Sequence, residues 1–509
     1  MQTKSTDSAN LKQPMLPLRE GKVLSWRYIA AFTLAATIVL EVLFNLLPVD
    51  HDTLQLFWFF PAALLAASQL YFNLRVTRYV EIKLLLAFLV WGCVIIVLNY
   101  GRAQLVDSYE WFAATFTAIA LCFALPYALE REGAKRVLLM LCAVTLIAAV
   151  LLSVASLIAV FFKDIAAKLP SIFEGIVIGD GRLNIDNHPN RSAPAPALGV
   201  ILAGILLAGV KKTWQRVLIV LLAVVCFVPL ALTGSRTAIL SAALAIGYEV
   251  ALTLRNVLKG RIHTLLRVCI SLSVAAVSMF AFYQASMLTA GVSNEIFARQ
   301  QAQAVVQAAP EAIALPEATT QPEATAPAAE SSVATAPAAQ PAEEAGSDTV
   351  VTRDFSDADS FNGRTEIWSG VFRGLLENPK ILLIGTGPTV ASAVMSPYFP
   401  PNSPVGIFHN SLLGVLVAFG IPGLMLLLAF LVLSAVASIR VSFGKRVLQS
   451  LAVKLLPAVL LFTVAEGMME DFLFALVTLN IVLVWFMIAS GFVLRLSRPD
   501  EAQTEQKPE

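Results

Sequence analysis

Charge is scarce in this chain. Asp, Glu, Lys and Arg make up 14% of its 509 residues, where a soluble domain carries about 25%. The formal net charge is only +1, so the basic footprint that nucleic-acid binding requires is missing. Histidine is rarer still: His51, His188, His263 and His409 are all there are. Cysteine is absent from every long loop. Cys93, Cys122, Cys142, Cys226 and Cys269 all fall inside apolar runs. That placement excludes a disulfide framework and a thiolate metal site, and leaves them as small apolar side chains.

Long apolar runs fill the space that charge leaves. Hydrophobic residues are 57% of the chain, and a spanning helix takes roughly 20 mostly apolar residues. About twelve stretches qualify: 28–47, 55–72, 82–99, 111–129, 137–162, 195–210, 217–233, 237–254, 268–290, 410–437, 452–469 and 472–494. The expected fold is therefore an all-α polytopic membrane protein. The polar start of the chain carries Lys4, Lys12, Arg19 and Lys22. The apolar run after it is too long for a cleaved signal core, so it reads as a retained anchor.

Orientation follows from Lys and Arg in short loops. With residues 1–27 and 495–509 as cytoplasmic tails, Arg75/Arg78/Lys83, Arg131/Lys135/Arg136, Lys211/Lys212/Arg216, Arg255/Lys259/Arg261/Arg267 and Arg440/Lys445/Arg446 all lie inside. Opposite short turns are nearly free of cations; the Gly101–Glu110 loop has only Arg102. The membrane body then divides into nine helices over 28–290 and three over 410–494. Two extracytoplasmic connections are long, 163–194 and 291–408. Within the second, 300–346 is almost entirely Ala, Pro, Glu, Thr, Gln, Ser and Val. Such a composition buries too little apolar surface to offset its ordering entropy, and predicts disorder.

Order is expected to return just before Arg364. Ile367, Val371 and Leu375 share a face at helical spacing, flanked by Trp368 and Phe372. This predicts an amphipathic helix near 364–377, lying on the outer membrane surface. Asn378-Pro379 ends it, and Gly385-Thr386-Gly387-Pro388 is a tight turn whose glycines would let backbone N–H groups approach a phosphate, or would simply turn the chain.

Ionisable groups at a membrane boundary are costly and mark function. The outer side collects several. Arg236 stands in Thr233-Gly234-Ser235-Arg236-Thr237, a turn of very few residues between two spans. Arg191 follows Asn187-His188-Pro189-Asn190, Arg364 opens the surface helix, and Arg373 lies further along it on another face. His409 and Asn410 stand where the tenth span begins. Glu466, Glu470 and Asp471 cluster at the outer end of the eleventh, and Glu41 lies in the first. These acids either orient the arginines and the histidine or pair among themselves. Arginine grips phosphate with a fixed fork of donors, and an imidazole can take a proton from a hydroxyl. Together they suit a lipid-linked pyrophosphate attacked by an acceptor hydroxyl. Asp357-Ala358-Asp359 is a possible metal-binding pair, but Asp-x-Asp is common by chance and no metal is expected.

Four patches resemble the O-antigen ligase and O-antigen polymerase superfamily. They are Asn187-His188-Pro189-Asn190; Gly234-Ser235-Arg236; Gly363-Arg364-Thr365-Glu366-Ile367-Trp368 through Gly385-Thr386-Gly387; and His409-Asn410-Ser411-Leu412-Leu413 through Gly420-Ile421-Pro422-Gly423. The likeness covers about 180–440 by motif and the whole chain by hydropathy. It implies a metal-independent, cofactor-free inverting glycosyltransferase of the cytoplasmic (inner) membrane, active on its outer side. The donor would be a glycan on a polyprenyl diphosphate such as undecaprenyl diphosphate. The acceptor would be a hydroxyl of a glycan, lipid or wall polymer. The resemblance makes His409 the general base and assigns the diphosphate to Arg236, Arg364 and Arg191. Asn190, Asn410, Gly385 and Gly387 would support them. The inserted 300–346 tract departs from the family pattern. Two other functions stay open: a polymerase joining lipid-linked repeat units, and a transporter or flippase using Glu41, Glu466 and Asp471 as a path.

Overall fold

The computed structural model describes residues 80–99, 131–169, 176–179, 182–185, 189–308, 364–388, 390–400, 408–443 and 451–470, with a few isolated positions besides. The spans expected at 28–47, 55–72, 111–129 and 472–494 lie almost wholly outside the described residues, as do both tails and the tract beyond residue 308.

The helices are α1 (Val80–Leu98), α2 (Arg131–Phe161), α3 (Lys163–Lys168), α4 (Pro189–Ser192), α5 (Pro194–Gly209), α6 (Thr213–Thr233), α7 (Arg236–Val257), α8 (Thr264–Ala308), α9 (Arg364–Glu377), α10 (Pro379–Ile384), α11 (Ala391–Met395), α12 (Ser411–Phe443), α13 (Leu451–Leu455) and α14 (Pro457–Gly467). Among the described residues six helices are long and apolar enough to cross a membrane: α1, most of α2, α6, α7, Thr264–Gly291 of α8, and α12. The chain is a largely helical membrane protein.

The stretch 195–210 becomes α5, and it is the hub of the bundle. It is about 24 Å long, shorter than the hydrocarbon core. Its length suffices because protein encloses it: Ala197, Leu198, Ile201, Leu202 and Ile205 are all fully buried, packed by α2, α6 and α7. Small residues let the helices close up; a Cβ on Gly199 would sit 2.6 Å from Cys226 Sγ of α6. A second apolar cluster joins α1, α9 and the first half of α12 through Phe88, Ile95, Ile367, Val371, Phe408, Leu413 and Phe419.

Three features depart from the sequence expectation. First, the fold is not purely helical. β1 (Ile176–Gly179) and β2 (Arg182–Ile185) form an antiparallel hairpin in the 163–194 connection, with Gly179 opposite Arg182. Second, the ninth span is the start of a 45-residue helix, α8, that runs to Ala308. The first residues of the expected disordered tract are therefore helical. Their Gln and Ala are good helix formers, and the helix stops just before Pro310, as a proline requires. Third, the stretch 452–469 is broken into α13 and α14 at Leu456, because Pro457 cannot donate to a continuing helix. The stripe of Ile367, Val371 and Leu375 on α9 also faces inward rather than toward lipid; all three are buried, while Phe372 and Leu376 are exposed.

α12 is kinked, and the kink explains the Gly385-Thr386-Gly387 turn. Gly420 leaves helical geometry (φ 65°, ψ −172°) and Pro422 has no N–H. The carbonyls of Val417, Ala418 and Phe419 thereby lose their helical partners. Each finds another. Thr386 N–H donates to Val417 O at 3.0 Å and Gly387 N–H to Ala418 O at 2.9 Å. Trp91 Nε1–H of α1 donates to Phe419 O at 2.7 Å. Those N–H groups are thus committed to the joint, and the glycine turn is not a phosphate cradle. Gly385 (φ 88°) passes so close that a Cβ would lie 2.4 Å from Ala418 O.

Gly385→Ala should therefore cost far more than Gly260→Ala. Both glycines have positive φ, but a Cβ at Gly260 meets nothing within 4 Å. The strained backbone alone costs about 1 kcal/mol; the Gly385 variant adds a backbone collision. Thermal unfolding of the detergent-purified variants checks this, with the Gly385→Ala midpoint expected clearly lower.

Candidate active site

The two apolar clusters meet at a polar seam. The C-terminal end of α14, the N-termini of α7, α9 and α12, and the hairpin with α4 converge there. At its centre is Glu470, just past α14 and buried. One carboxylate oxygen, Oε2, pairs with His409 Nδ1 at 2.9 Å. The other, Oε1, forms an ion pair with Arg364 Nη2 and accepts from Asn190 Nδ2 at 2.8 Å. Four segments distant in sequence are joined through one side chain. A carboxylate taken out of water needs such donors.

Local structure fixes each partner. His409 is the only non-glycine residue with positive φ among those described (φ 50°), a conformation costing about 1 kcal/mol or more for a side-chain-bearing residue and one that clusters at functional sites. It is held from both sides. Trp368 Nε1–H of α9 donates to Phe408 O at 3.0 Å. Asn410 follows as the N-cap of α12: its Oδ1 accepts Leu413 N–H at 3.0 Å, and its Nδ2 donates to Met468 O at 3.0 Å. Ser411 Oγ donates to the Glu470 carbonyl at 2.8 Å. The start of α12 is thus stitched to the end of α14 by three side chains.

Arg364, the first residue of α9, is buried. Its fork is divided: Nη2 goes to Glu470 and Nη1 donates to Thr237 Oγ1 at 3.1 Å. Thr237 adjoins Arg236, which opens α7 and is half-buried. The turn before it is built by Gly234, left-handed at φ 56° as the C-cap of α6, and by Ser235, the N-cap of α7. Glu466 is fully buried one turn before Glu470, beside Ser241 of α7. Among the described residues no group of three His, Cys, Asp or Glu side chains is placed to hold a metal ion. Asp357, Asp359, Asp471, Glu41 and the side chain of Arg191 lie outside the described set.

Of the expected residues, the structure brings together His409, Arg364, Asn190 and Asn410, with Arg236 one residue from Arg364's partner. Gly385 and Gly387 stand apart, in the α12 joint. Glu470, expected only as one of an acidic cluster, turns out to be the hub. Arg182 of β2 was not anticipated. Its Nε–H donates to Thr233 O at 2.7 Å and its Nη2 approaches Asn190 Oδ1 at 3.5 Å. The signal for it was Gly179-Asp180-Gly181 between two short apolar runs, a hairpin pattern.

Residues 218–428 match the family model described as O-antigen ligase. Over that region the chain is similar to the O-antigen ligase family. That region runs from α6 through the kink of α12, and so contains Arg236, Arg364 and His409 but neither the hairpin nor Glu470. A comparison with curated proteins found no match to this chain.

The divided fork makes a prediction. Arg364→Lys keeps the charge but replaces two fixed arms by a single ammonium, so that either the ion pair to Glu470 or the hydrogen bond to buried Thr237 is lost. A buried polar group left unpaired costs about 1–3 kcal/mol. The thermal midpoint of the purified variant should fall accordingly; an unchanged midpoint would show that the bridge contributes nothing.

Proposed function

We propose that this protein transfers a glycan from a polyprenyl-diphosphate carrier to an acceptor hydroxyl at the outer face of the cytoplasmic membrane. The observation that carries the reading is the Glu470 carboxylate held between His409 Nδ1 and Arg364 Nη2. It couples a candidate base to a candidate anion-binding group in a buried site that suits both. The O-antigen ligase match over 218–428 supports the same class of reaction.

In this mechanism His409 donates its Nδ1–H to Glu470, which leaves Nε2 as the free proton acceptor. Nε2 takes the proton of the acceptor hydroxyl as its oxygen bonds to the anomeric carbon. The bond from that carbon to the diphosphate oxygen breaks on the opposite face, so configuration inverts. Glu470 steadies the imidazolium that forms. Arg236 and Arg364, with Arg191 as a further candidate, neutralise the charge that grows on the leaving diphosphate. All of the work in this scheme is positioning and electrostatics, and no step calls for a metal. Ligation and repeat-unit polymerisation need the same donor half of the site and differ in the acceptor.

His409→Ala in a host that depends on this protein should leave its amount in the membrane normal. The finished glycoconjugate should disappear and the polyprenyl-linked donor accumulate; unchanged product would overturn the assignment of the base. Glu470→Gln keeps the shape but not the charge. Its product formation should fall by orders of magnitude, about 10⁴-fold where the carboxylate that orients a general-base histidine becomes an amide. Product analysis by gel separates single transfers from polymer ladders.

A further inference from the structure

Arg182 belongs to no motif, and the O-antigen ligase match does not reach it. Yet it completes a closed circuit. From Thr233 O the path runs to Arg182 Nε, from Arg182 Nη2 to Asn190 Oδ1, and from Asn190 Nδ2 to Glu470 Oε1. It returns from Glu470 through Arg364 to Thr237 Oγ1. Thr233 and Thr237 are the two ends of the turn that carries Arg236. Two arginines therefore pin opposite ends of one five-residue turn, and both pins converge on the carboxylate that holds His409.

We propose that Arg182 is a positioning residue for Arg236. The proposal rests on the diphosphate reading above and concerns the same site. Arg236 is the first residue of α7. Its backbone follows Gly234, the left-handed C-cap of α6, whose N–H donates to Ala231 O at 3.0 Å. Arg364 fixes the α7 side of that turn through Thr237. The α6 side is closed locally, with Thr233 Oγ1 donating to Leu230 O at 2.7 Å and Ser235 N–H to Thr233 Oγ1 at 3.3 Å, and Arg182 is what ties that side to the hub. Arg182 does so from above: a Cβ on Gly234 would lie 3.3 Å from its Nε, and its short bond to Thr233 O holds the last carbonyl of α6. The hairpin is the arm that delivers it, since β2 packs against α4 and α6. Arg182 thus keeps the fork of Arg236 in register with His409, across a site in which misplacement by about 1 Å costs on the order of a hundredfold.

The test uses the full chain in detergent and farnesyl diphosphate as a soluble probe of diphosphate binding, followed by calorimetry. Wild type should bind. Arg182→Ala should weaken binding about tenfold, a 1.4 kcal/mol loss. In an Arg236→Lys background, where the fork is already gone, the same Arg182→Ala change should cost less than about twofold, because coupled residues are not additive. A tenfold cost in both backgrounds would overturn the proposal and make Arg182 a direct diphosphate ligand. Undiminished binding by Arg182→Ala would overturn it as well. If that variant does not reach the membrane folded, Arg182→Lys is used in its place. It keeps the charge, but on a single nitrogen that lacks the separate arms serving Thr233 and Asn190 together, and the same two outcomes apply. No binding by wild type would overturn the diphosphate reading itself, a failure distinct from either of these.

Discussion

One buried carboxylate organises the polar half of this molecule. Glu470 takes donors from His409, Arg364 and Asn190, and the three come from different parts of the chain. A carboxylate withdrawn from water is tolerable only when such partners compensate it. The dependence is mutual. Removing the acid would leave a buried guanidinium without its counter-charge, a loss of about 3–5 kcal/mol in comparable pairs. It would also free the imidazole to turn. Stability and the alignment of the candidate base are thus secured by the same contact.

Around that contact the backbone does unusual things for identifiable reasons. His409 adopts a left-handed conformation immediately before an asparagine cap, so the chain can reverse and enter α12 within two residues. Further along, α12 gives up three of its own hydrogen bonds at Gly420 and Pro422. The freed carbonyls become docking points for Thr386, Gly387 and Trp91. Through this joint, the segment after α9 and α10 is tied into the membrane helix whose first turn adjoins the histidine. Arg364 and His409 are therefore connected twice, once through Glu470 and once through Trp368 of the same α9.

Much of this was legible beforehand, and the gaps have physical causes. Helix α5 was visible as an apolar run, but its short length made it marginal until neighbours were seen to enclose it. Pro457 offered a place to divide the 452–469 run, since it has no N–H to donate to a continuing helix, although Pro229 inside α6 shows that a proline need not end one. Ile367, Val371 and Leu375 form the stripe that their spacing predicts, but protein covers it in place of the membrane surface. Apolar periodicity says that a face is buried, and is silent on whether protein or lipid buries it. The Gly385/Gly387 turn was ambiguous for a similar reason: free backbone N–H groups invite any acceptor, and orphan helix carbonyls took them first.

The sequence by itself determined the class of molecule, a largely helical membrane protein, and marked His409, Arg236 and Arg364 as its candidate chemistry. Those properties are local. They follow from hydropathy over one helix length and from rare ionisable residues at the ends of apolar runs. Only the tertiary structure decided that Glu470 meets the histidine, and that Arg182 is the far pin of the Arg236 turn. Such partners are set by contacts between residues up to 280 positions apart, as for Asn190 and Glu470. Spacing along a chain carries no record of them; only the packing of helices brings the charges within reach.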